Sequence, residues 1–251
     1  MYMNPAKIKS EFLRIKNLGY VLNVKSDYND GGAGNTFESH LGVKENNLKD
    51  PDFEGFEVKT KKQLSHSFVS LFTQKPCNPI NGDNYMRSAY GVPDKNYPEV
   101  KGFRTSLYAH RTSRVYGKYL MSIKLDREQG KLYLICSDLE GNLIDDSVYW
   151  SFDNIKLYSK KLANMFVVGL SVNNINGREH YHYTSATVFM EYKGFENFLD
   201  LIEAGVIRYD NRLGVYGPNT GKAGQPHNHG GGLRISAKNI GLLFNVKLDI
   251  E

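Results

Sequence analysis

Only two cysteines occur in the sequence, Cys77 and Cys136, and they stand far apart. Their separation matches neither a cysteine-based zinc site nor a redox pair. We therefore expect both to be reduced thiols in a cytoplasmic protein.

Long apolar runs are also lacking where a targeting segment would need one. The opening segment MYMNPAKIKS contains none, so we expect neither a signal peptide nor a membrane anchor. The net charge of +5 over 251 residues is a modest basic excess, which suits a polyanionic partner without requiring one. A chain of this length can form one domain or two lobes.

Two carboxylates and a lysine stand out between residues 50 and 62. In an extended strand successive side chains point to opposite faces, so Glu57 and Lys59 share one face while Phe56 and Val58 enter a core. Asp52 follows a proline, which keeps this segment out of a helix and lets the carboxylate reach the same edge. Paired carboxylates suit Mg²⁺, and a neighbouring lysine can orient or deprotonate an attacking water. The pattern indicates metal-assisted hydrolysis of a phosphodiester.

The spacing by itself is a weak signal, because Asp94, Glu99 and Lys101 repeat the same D-x4-E-x-K arrangement. A proline precedes Glu99 and a glycine follows Lys101, so the second copy is predicted to be a solvated loop. The first copy is followed by SFVSLF, which is suited to a buried strand. The alternative for the first copy is a charged face on a half-buried strand, with no catalytic role.

A longer pattern surrounds the first copy. The residues GNTFESHLGVKENNLKDPDFEGFEVKT resemble the G-x-T-x-E, N-x-x-x-PDF and E-x-K-T series of the MutH-like nucleases, and within them the MvaI/BcnI group of restriction endonucleases. The similarity continues in LFTQKPCNP, in DDSVYWSFD and in YDNRLGVYGPNTGKAGQPHNHGGGLRI. Several separated motifs in one order are more specific than the spacing alone.

The resemblance implies a type II restriction endonuclease of the PD-(D/E)XK kind. Such an enzyme would use Mg²⁺ to cleave double-stranded DNA at a short CCNGG-type site, such as CCWGG. The catalytic trio would be Asp52, Glu57 and Lys59, with Glu38 as an accessory acidic residue and the Val58 carbonyl joining Asp52 and Glu57 as metal ligands. A monomer in the bacterial cytoplasm, encoded with a cognate DNA methyltransferase, is also implied.

We expect an α/β (α+β) fold with a mixed central β-sheet flanked by helices. Predicted elements include a helix over 5–18, a short helix with Asn35 or Thr36 as its N-cap, an antiparallel meander over 119–150 and a helix over 152–164. The chain could form one nuclease domain or two lobes.

For two lobes, the catalytic lobe would be centred on 1–76 and 119–172, with DNA-recognition elements within 77–118 and 173–236. The range 77–118 has no clear periodicity and interleaves basic with aromatic side chains. We predict a long irregular segment that contacts phosphates and reaches into a groove. Its candidate DNA-binding residues are Arg104 and Arg111.

Glycines are frequent between residues 208 and 234, so regular structure is not expected over much of this stretch. The run GPNTGKA resembles a phosphate-binding P-loop but is one residue too short. His227 and His229 form an H-x-H pair, which is weak support for a zinc site because no further ligands accompany it. Arginine can bind the guanine edge in the major groove through two N–H groups, and histidine can donate to the same edge. By resemblance, base readout would fall to Arg212, Tyr216, His227, His229 and Arg234, with Lys222 on phosphate.

Two alternative functions remain open on the sequence. One is a strand-nicking repair endonuclease of the MutH type, which would share the metal site but need a partner protein and a hemimethylated mark. The other is a DNA-binding protein whose acidic cluster is only structural.

Overall fold

The computed structural model describes residues 4–25, 31–43, 51–62 and 68–250. Helices and strands are mixed along the chain, and the strand pairs are both parallel and antiparallel. The expected α/β (α+β) class is therefore confirmed. Elements are numbered below in chain order.

The chain divides into two compact units. The first unit comprises Met1–Val69, Ser159–Gly194 and Ser236–Glu251, and the second comprises Ser70–Tyr158 and Phe195–Ile235. These ranges do not coincide with the predicted lobes. Residues 70–76 and 119–158 belong to the second unit, and residues 173–194 belong to the first.

The first unit is built on a mixed sheet with helices packed against it. Its elements are α1 (Pro5–Lys16), β1 (Val21–Leu22), α2 (Gly32–His40), β2 (Glu57–Lys62), a 3₁₀ helix (Lys160–Ala163), β11 (Met165–Ile175), β12 (Arg178–Tyr192), a second 3₁₀ helix (Ala237–Leu243) and β16 (Phe244–Ile250). The strand order is β1–β12–β11–β2, with β16 also paired to β12. Strands β2 and β11 are parallel, whereas β12 is antiparallel to its neighbours.

Helix α1 follows the sequence prediction closely. It begins at Pro5, the Asn4 side chain accepts a hydrogen bond from the Lys7 N–H at 3.0 Å, and the helix ends at Lys16, two residues earlier than predicted. Its buried residues Ile8, Phe12 and Ile15 are spaced for one helix face and join the core of the first unit.

The N-cap prediction for α2 is wrong. The helix begins at Gly32, three or four residues before the predicted caps. Its N-cap residue is Gly31, which has no side chain that could accept a capping hydrogen bond. Thr36 lies inside the helix, where its hydroxyl donates to the Gly32 carbonyl at 2.7 Å and accepts from the Val24 N–H at 3.1 Å. The tertiary partner on Val24 explains why this threonine does not cap the helix.

The second unit contains two sheets. Its elements are β3 (Phe68–Thr73), α3 (Gly82–Tyr90), β4 (Val92–Pro93), β5 (Lys101–Leu107), β6 (Ser113–Val115), β7 (Tyr119–Asp126), β8 (Lys131–Ser137), β9 (Leu143–Asp145), β10 (Tyr149–Ser151), α4 (Phe152–Ser159), α5 (Phe195–Glu203), β13 (Ile207–Val215), β14 (Pro226–Asn228) and β15 (Gly232–Ser236). One sheet has the order β3–β15–β13–β5–β4 with β14 on β13, and the other has the order β10–β8–β7–β6 with β9 on β8.

Two segments of the second unit are more regular than predicted. The range 77–118 contains α3 and β5, and β13 runs without a break from Ile207 to Val215. Strand β5 pairs with β13, so each satisfies backbone groups of the other across a long sequence separation that local periodicity does not report. The predicted meander over 119–150 is confirmed by the antiparallel pairs of β7 with β8 and of β8 with β9 and β10.

The helix predicted over 152–164 is divided into α4 and the first 3₁₀ helix, which ends at Ala163. No helix among the described residues is long and apolar enough to cross a membrane.

Candidate active site and basic sheet face

A tight turn brings Asp52 and Glu57 together. Phe53 and Phe56 form an antiparallel bridge with two backbone hydrogen bonds of 3.0 and 2.8 Å, and Glu54 and Gly55 between them have φ values of 48° and 81°. Positive φ at both central positions is the signature of the two-residue hairpin turn. The next pair outward is Asp52 opposite Glu57, so the D-x4-E spacing places one carboxylate across from the other.

The edge of β2 holds the Asp52 carboxylate. Its Oδ2 accepts a hydrogen bond from the Val58 N–H at 3.0 Å, whereas the Glu57 N–H points the other way and donates to the Asn164 carbonyl at 3.0 Å. Because the N–H and C=O of one strand residue point to the same side, the Val58 carbonyl faces the edge that carries Asp52.

Glu57 is the most deeply buried carboxylate of this group, at 3% exposure. Lys59 Nζ donates to Glu57 Oε1 at 2.5 Å, which confirms that these side chains share a face. On the opposite face, Phe56 and Val58 are buried in the core as predicted.

The surroundings of Glu57 act on the pKa of its carboxyl group in opposite directions. Burial raises the pKa of the Glu57 carboxyl above its ordinary value, and the nearby Asp52 carboxylate raises it further. The ammonium groups of Lys59 and Lys161 oppose that increase. The site therefore holds a carboxylate that gains from additional positive charge.

Glu57 Oε2 is the atom best suited to a metal ion. It is buried, and no hydrogen bond from the described residues reaches it. Together with Asp52 and the Val58 carbonyl it provides hard oxygen donors of the kind that Mg²⁺ prefers, and two carboxylates are the usual protein share of such a site. Within the described residues no group of three or more His, Cys, Asp or Glu side chains forms a metal site, so any ion here would also need carbonyl, water or phosphate ligands.

Glu38 lies on α2, whereas the trio lies on the hairpin turn and β2. A Cβ added to Gly34 would lie 3.9 Å from Glu38 Oε1 and 3.6 Å from Thr60 Oγ1, so both side chains approach Gly34. Thr60 alternates with Lys59 along β2 and therefore points to the other face of the strand. The Glu38 charge also contributes to raising the pKa of Tyr183, although burial is the main cause.

Sequence reasoning missed two residues of this site. Lys161 Nζ lies 3.8 Å from Glu57 Oε2, and Asn164 donates a side-chain hydrogen bond to the Gly55 carbonyl at 3.3 Å. Both are close because β11 is parallel to β2 with Met165 opposite Glu57. Both residues lie in the predicted helix over 152–164, and the sequence does not indicate which strand packs beside the end of that helix, so neither residue was predicted.

In the second unit, several of the candidate DNA-binding residues occupy paired strands. Arg104 on β5 is opposite Arg212 on β13, His227 on β14 is opposite Gly214, and Arg234 on β15 is opposite Arg208. Arg208, Arg212 and Gly214 alternate along β13, so these pairs lie on one sheet face. We call it the basic face and define it by Arg104, Arg208, Arg212, His227 and Arg234.

Aromatic rings cluster at one end of the basic face. Tyr216 stacks on His227 with ring centroids 4.0 Å apart, and His229 lies edge-on to His227 at 4.1 Å. A Cβ on Gly214 would lie 2.3 Å from Arg104 Nη2 and 2.9 Å from the His229 ring, so the missing side chain lets these two groups converge. Burial lowers the pKa of His227, and Lys222 and Arg87 lower it further, which favours a neutral imidazole that can both donate and accept.

A buried aspartate, Asp210, orders the arginines at the other end of this face. Arg208 Nε lies 2.7 Å from Asp210 Oδ1, and Arg234 Nε lies 3.5 Å from Asp210 Oδ2. Burial lowers the pKa of Arg234, and the like charges of Arg212 and Arg208 add to that effect. An electronegative group placed over Arg234 and Arg212 would relieve this repulsion.

The remaining candidates lie beside the basic face. Arg111 packs its guanidinium 4.2 Å from the Tyr108 ring centroid, and the Tyr108 hydroxyl accepts from Arg208 Nη1 at 3.0 Å. Lys222, on the turn between β13 and β14, has its ammonium 5.7 Å from the Tyr216 ring centroid.

Arg87 is one of the basic residues interleaved with aromatic side chains over 77–118, and its structural role was not predicted from the sequence. It is buried, and its guanidinium donates to the carbonyls of Lys101, Gly214 and His227 at 2.9, 2.7 and 3.3 Å. This one side chain therefore ties β5, β13 and β14 together beneath the residues that carry the candidate contacts.

Comparison with known families identifies the chain. The model of the MvaI/BcnI restriction endonuclease family matches residues 9–244. The chain belongs to this family. As a restriction endonuclease it is a hydrolase that cleaves DNA.

Solved structures agree with the family assignment. The MvaI restriction endonuclease in a complex with its cognate DNA substrate is 29% identical, with a TM-score of 0.88 over 98% of this chain and 98% of that chain. MvaI in the absence of DNA is 29% identical, with a TM-score of 0.60 over 100% of this chain and 99% of that chain. A search of curated proteins found no match.

The hairpin turn of this MvaI/BcnI-family chain provides a test of the carboxylate geometry. Substituting Gly55, whose φ is 81°, with alanine should destabilise the protein by about 1–2 kcal/mol, because an L side chain is strained there. It should also lower DNA cleavage, because the turn fixes Asp52 opposite Glu57. Chemical denaturation and a cleavage assay measure the two effects.

Gly130 gives a matched control. Its φ is 63°, and an added Cβ would meet nothing within 4 Å. Gly130→Ala should therefore cost similar stability while cleavage by the folded protein stays unchanged. Equal cleavage by both variants would contradict the role assigned to the turn.

Proposed function

We propose that the chain is a type II restriction endonuclease that cleaves double-stranded DNA at a short CCNGG-type site, such as CCWGG, by Mg²⁺-dependent phosphodiester hydrolysis. It would act as a monomer alongside a DNA methyltransferase that protects the same sites in the host. The observation that carries the proposal is the environment of Glu57. Lys59 donates to one carboxylate oxygen, and the other is buried near Asp52 with no hydrogen bond from the residues that the structure describes.

That geometry supports the following catalytic roles. Asp52, Glu57 and the Val58 carbonyl would hold Mg²⁺, which supplies Lewis-acid stabilisation of the phosphoryl oxygens. Lys59, fixed on Glu57 Oε1 at 2.5 Å, presents its remaining N–H groups to an attacking water and to developing negative charge. Glu38, on α2, would have an accessory role.

The reaction is a displacement at phosphorus. The oxygen of the water forms a bond to phosphorus while the bond from phosphorus to the 3′ oxygen breaks in line. The water loses a proton to solvent, and the leaving 3′ oxygen takes one up. The products are a 5′-phosphate and a 3′-hydroxyl.

DNA recognition is proposed for the basic face. The DNA in the solved MvaI complex supports a double-stranded DNA partner for this chain as well. Arg212, Arg104 and Arg234 offer paired N–H donors for guanine, and His227 and His229 offer single donors or acceptors for base edges. Tyr216 would support His227, while Lys222 and Arg111 would contact phosphate.

The catalytic assignment predicts the outcome of a plasmid digest. Purified protein with Mg²⁺ should give discrete linear fragments, and EDTA should abolish them. Glu57→Ala and Lys59→Ala should each lower the cleavage rate by at least about a hundredfold, because Glu57 would hold the metal ion and Lys59 would stabilise the developing negative charge. Sequencing the fragment ends gives the recognition site.

The second copy of the motif provides the control. Glu99→Ala changes a glutamate with the same D-x4-E-x-K spacing that lies in an exposed loop, and it should cleave like the wild type. Nicked plasmid without linear fragments would favour the MutH-type function. Intact plasmid despite salt-sensitive DNA binding would favour a binding protein.

The recognition assignment predicts different effects for two cationic residues. Arg212→Ala should weaken binding to the cognate site by about 1–3 kcal/mol and relax its sequence preference, because it removes a base contact. Lys222→Ala should weaken binding to all sequences alike and reduce the slope of log K against log salt by about one. Fluorescence titrations with cognate and altered duplexes measure both. If Arg212→Ala weakened binding to the cognate and the altered duplex equally, the role of Arg212 in base recognition would be refuted.

A further inference from the structure

Besides Lys59 on Oε1, a second cationic side chain lies near the other carboxylate oxygen of Glu57, Oε2. Lys161 Nζ lies 3.8 Å from Oε2, while Lys59 occupies Oε1 at 2.5 Å. The 3.8 Å distance from Lys161 Nζ to Oε2 is within range for an ion pair but too long for a hydrogen bond. Lys161 therefore neutralises Oε2 without binding it directly.

The backbone holds Lys161 in place while its ammonium group can still move. The residue lies on the 3₁₀ helix immediately before β11, and the parallel pairing of Met165 with Glu57 fixes the level of that helix along β2. Its side chain is 19% exposed, so much of the stem is packed. A lysine stem has several rotatable bonds, so the ammonium can leave Oε2 without a change in the fold.

We propose that Lys161 is a positioning residue that supplies the positive charge at Glu57 Oε2 in the metal-free protein and yields that oxygen when a divalent cation binds. The inference rests on the proposed function, in which Glu57 is a metal ligand.

Like charges make the two occupants of Oε2 mutually exclusive. A Mg²⁺ ion lies about 2.1 Å from its oxygen ligand, so an ion on Oε2 would stand within a few ångströms of an ammonium that remained in place. At about 4 Å even two unit charges repel appreciably in a partly buried site, and a divalent ion doubles that energy. Lys161 thus keeps the buried carboxylate stable before metal binding and competes with the metal afterwards.

Metal binding to the free protein tests the competition directly. Mn²⁺ serves as the probe, and the loss of its free EPR signal measures binding. Lys161→Met should bind Mn²⁺ roughly tenfold more tightly than the wild type, because the competing charge is gone. Lys161→Arg, which keeps the charge, should bind weakly like the wild type.

Lys160 provides a matched control. It is exposed on the same 3₁₀ helix, so Lys160→Met makes the same change in net charge and should leave Mn²⁺ affinity close to the wild type. Equal affinities for the two methionine variants, or weaker binding by Lys161→Met, would overturn the proposal for Lys161. If wild-type binding is absent or is unaffected by Glu57→Gln, the proposed metal site itself is wrong.

Thermal unfolding tests whether the effect of Lys161 on stability depends on the metal. If Lys161 had only a packing role, its substitution would lower Tm equally with and without metal. In EDTA, Lys161→Met should lower Tm by a few degrees, because Glu57 loses a neutralising charge. In saturating Mn²⁺ the difference from the wild type should vanish or reverse. The same loss of Tm in both conditions would show a packing role only and would refute the proposal.

Discussion

The interaction on which the rest of the site depends is the burial of Glu57 next to a second carboxylate. A buried charge is costly unless it is compensated, and Asp52 opposite it increases the cost. Three features compensate for it. Lys59 binds one oxygen, Lys161 stands near the other, and the Val58 N–H binds the Asp52 carboxylate on the strand edge. Alternation along β2 accounts for Lys59, the parallel pairing with β11 for Lys161, and the turn before β2 for Asp52.

A similar constraint shapes the basic face in the other unit, where the excess charge is positive. Arg104, Arg208, Arg212 and Arg234 lie on paired strands, and like charges at that density repel. Asp210 compensates part of this charge, while the Tyr108 hydroxyl holds Arg208 and the Tyr108 ring supports Arg111. Asp210 neutralises the charge around Arg234 only in part, because Arg208 and Arg212 lie nearby as well. The remaining positive charge favours binding of a polyanion. In both units, therefore, the energetic cost of gathering like charges is offset only partly by the protein itself.

The sequence predicted the residues that act locally and missed those that depend on strand pairing. Alternation along β2 placed Glu57 and Lys59 on one face, and α1 was predicted from the proline at its start, the glycine after its end and its apolar spacing. Lys161 and the structural role of Arg87 were not predicted, because their partners lie far away in the sequence and are brought close by β2–β11 pairing and by the β5–β13–β14 sheet. Strand β5 was missed for the same reason. The family resemblance located the candidate residues, but it could not show which atoms of Glu57 are engaged.

The two copies of the D-x4-E-x-K spacing show why context decides. In the first copy the fourth intervening residue, Phe56, donates its N–H to Phe53 and so closes the turn that sets Asp52 opposite Glu57. In the second copy that position is Pro98, which has no N–H to give. Asp94 instead accepts hydrogen bonds from the Asn96 and Tyr97 N–H groups within its own loop. An identical spacing therefore gives a carboxylate pair only where the intervening residues can close a two-residue turn.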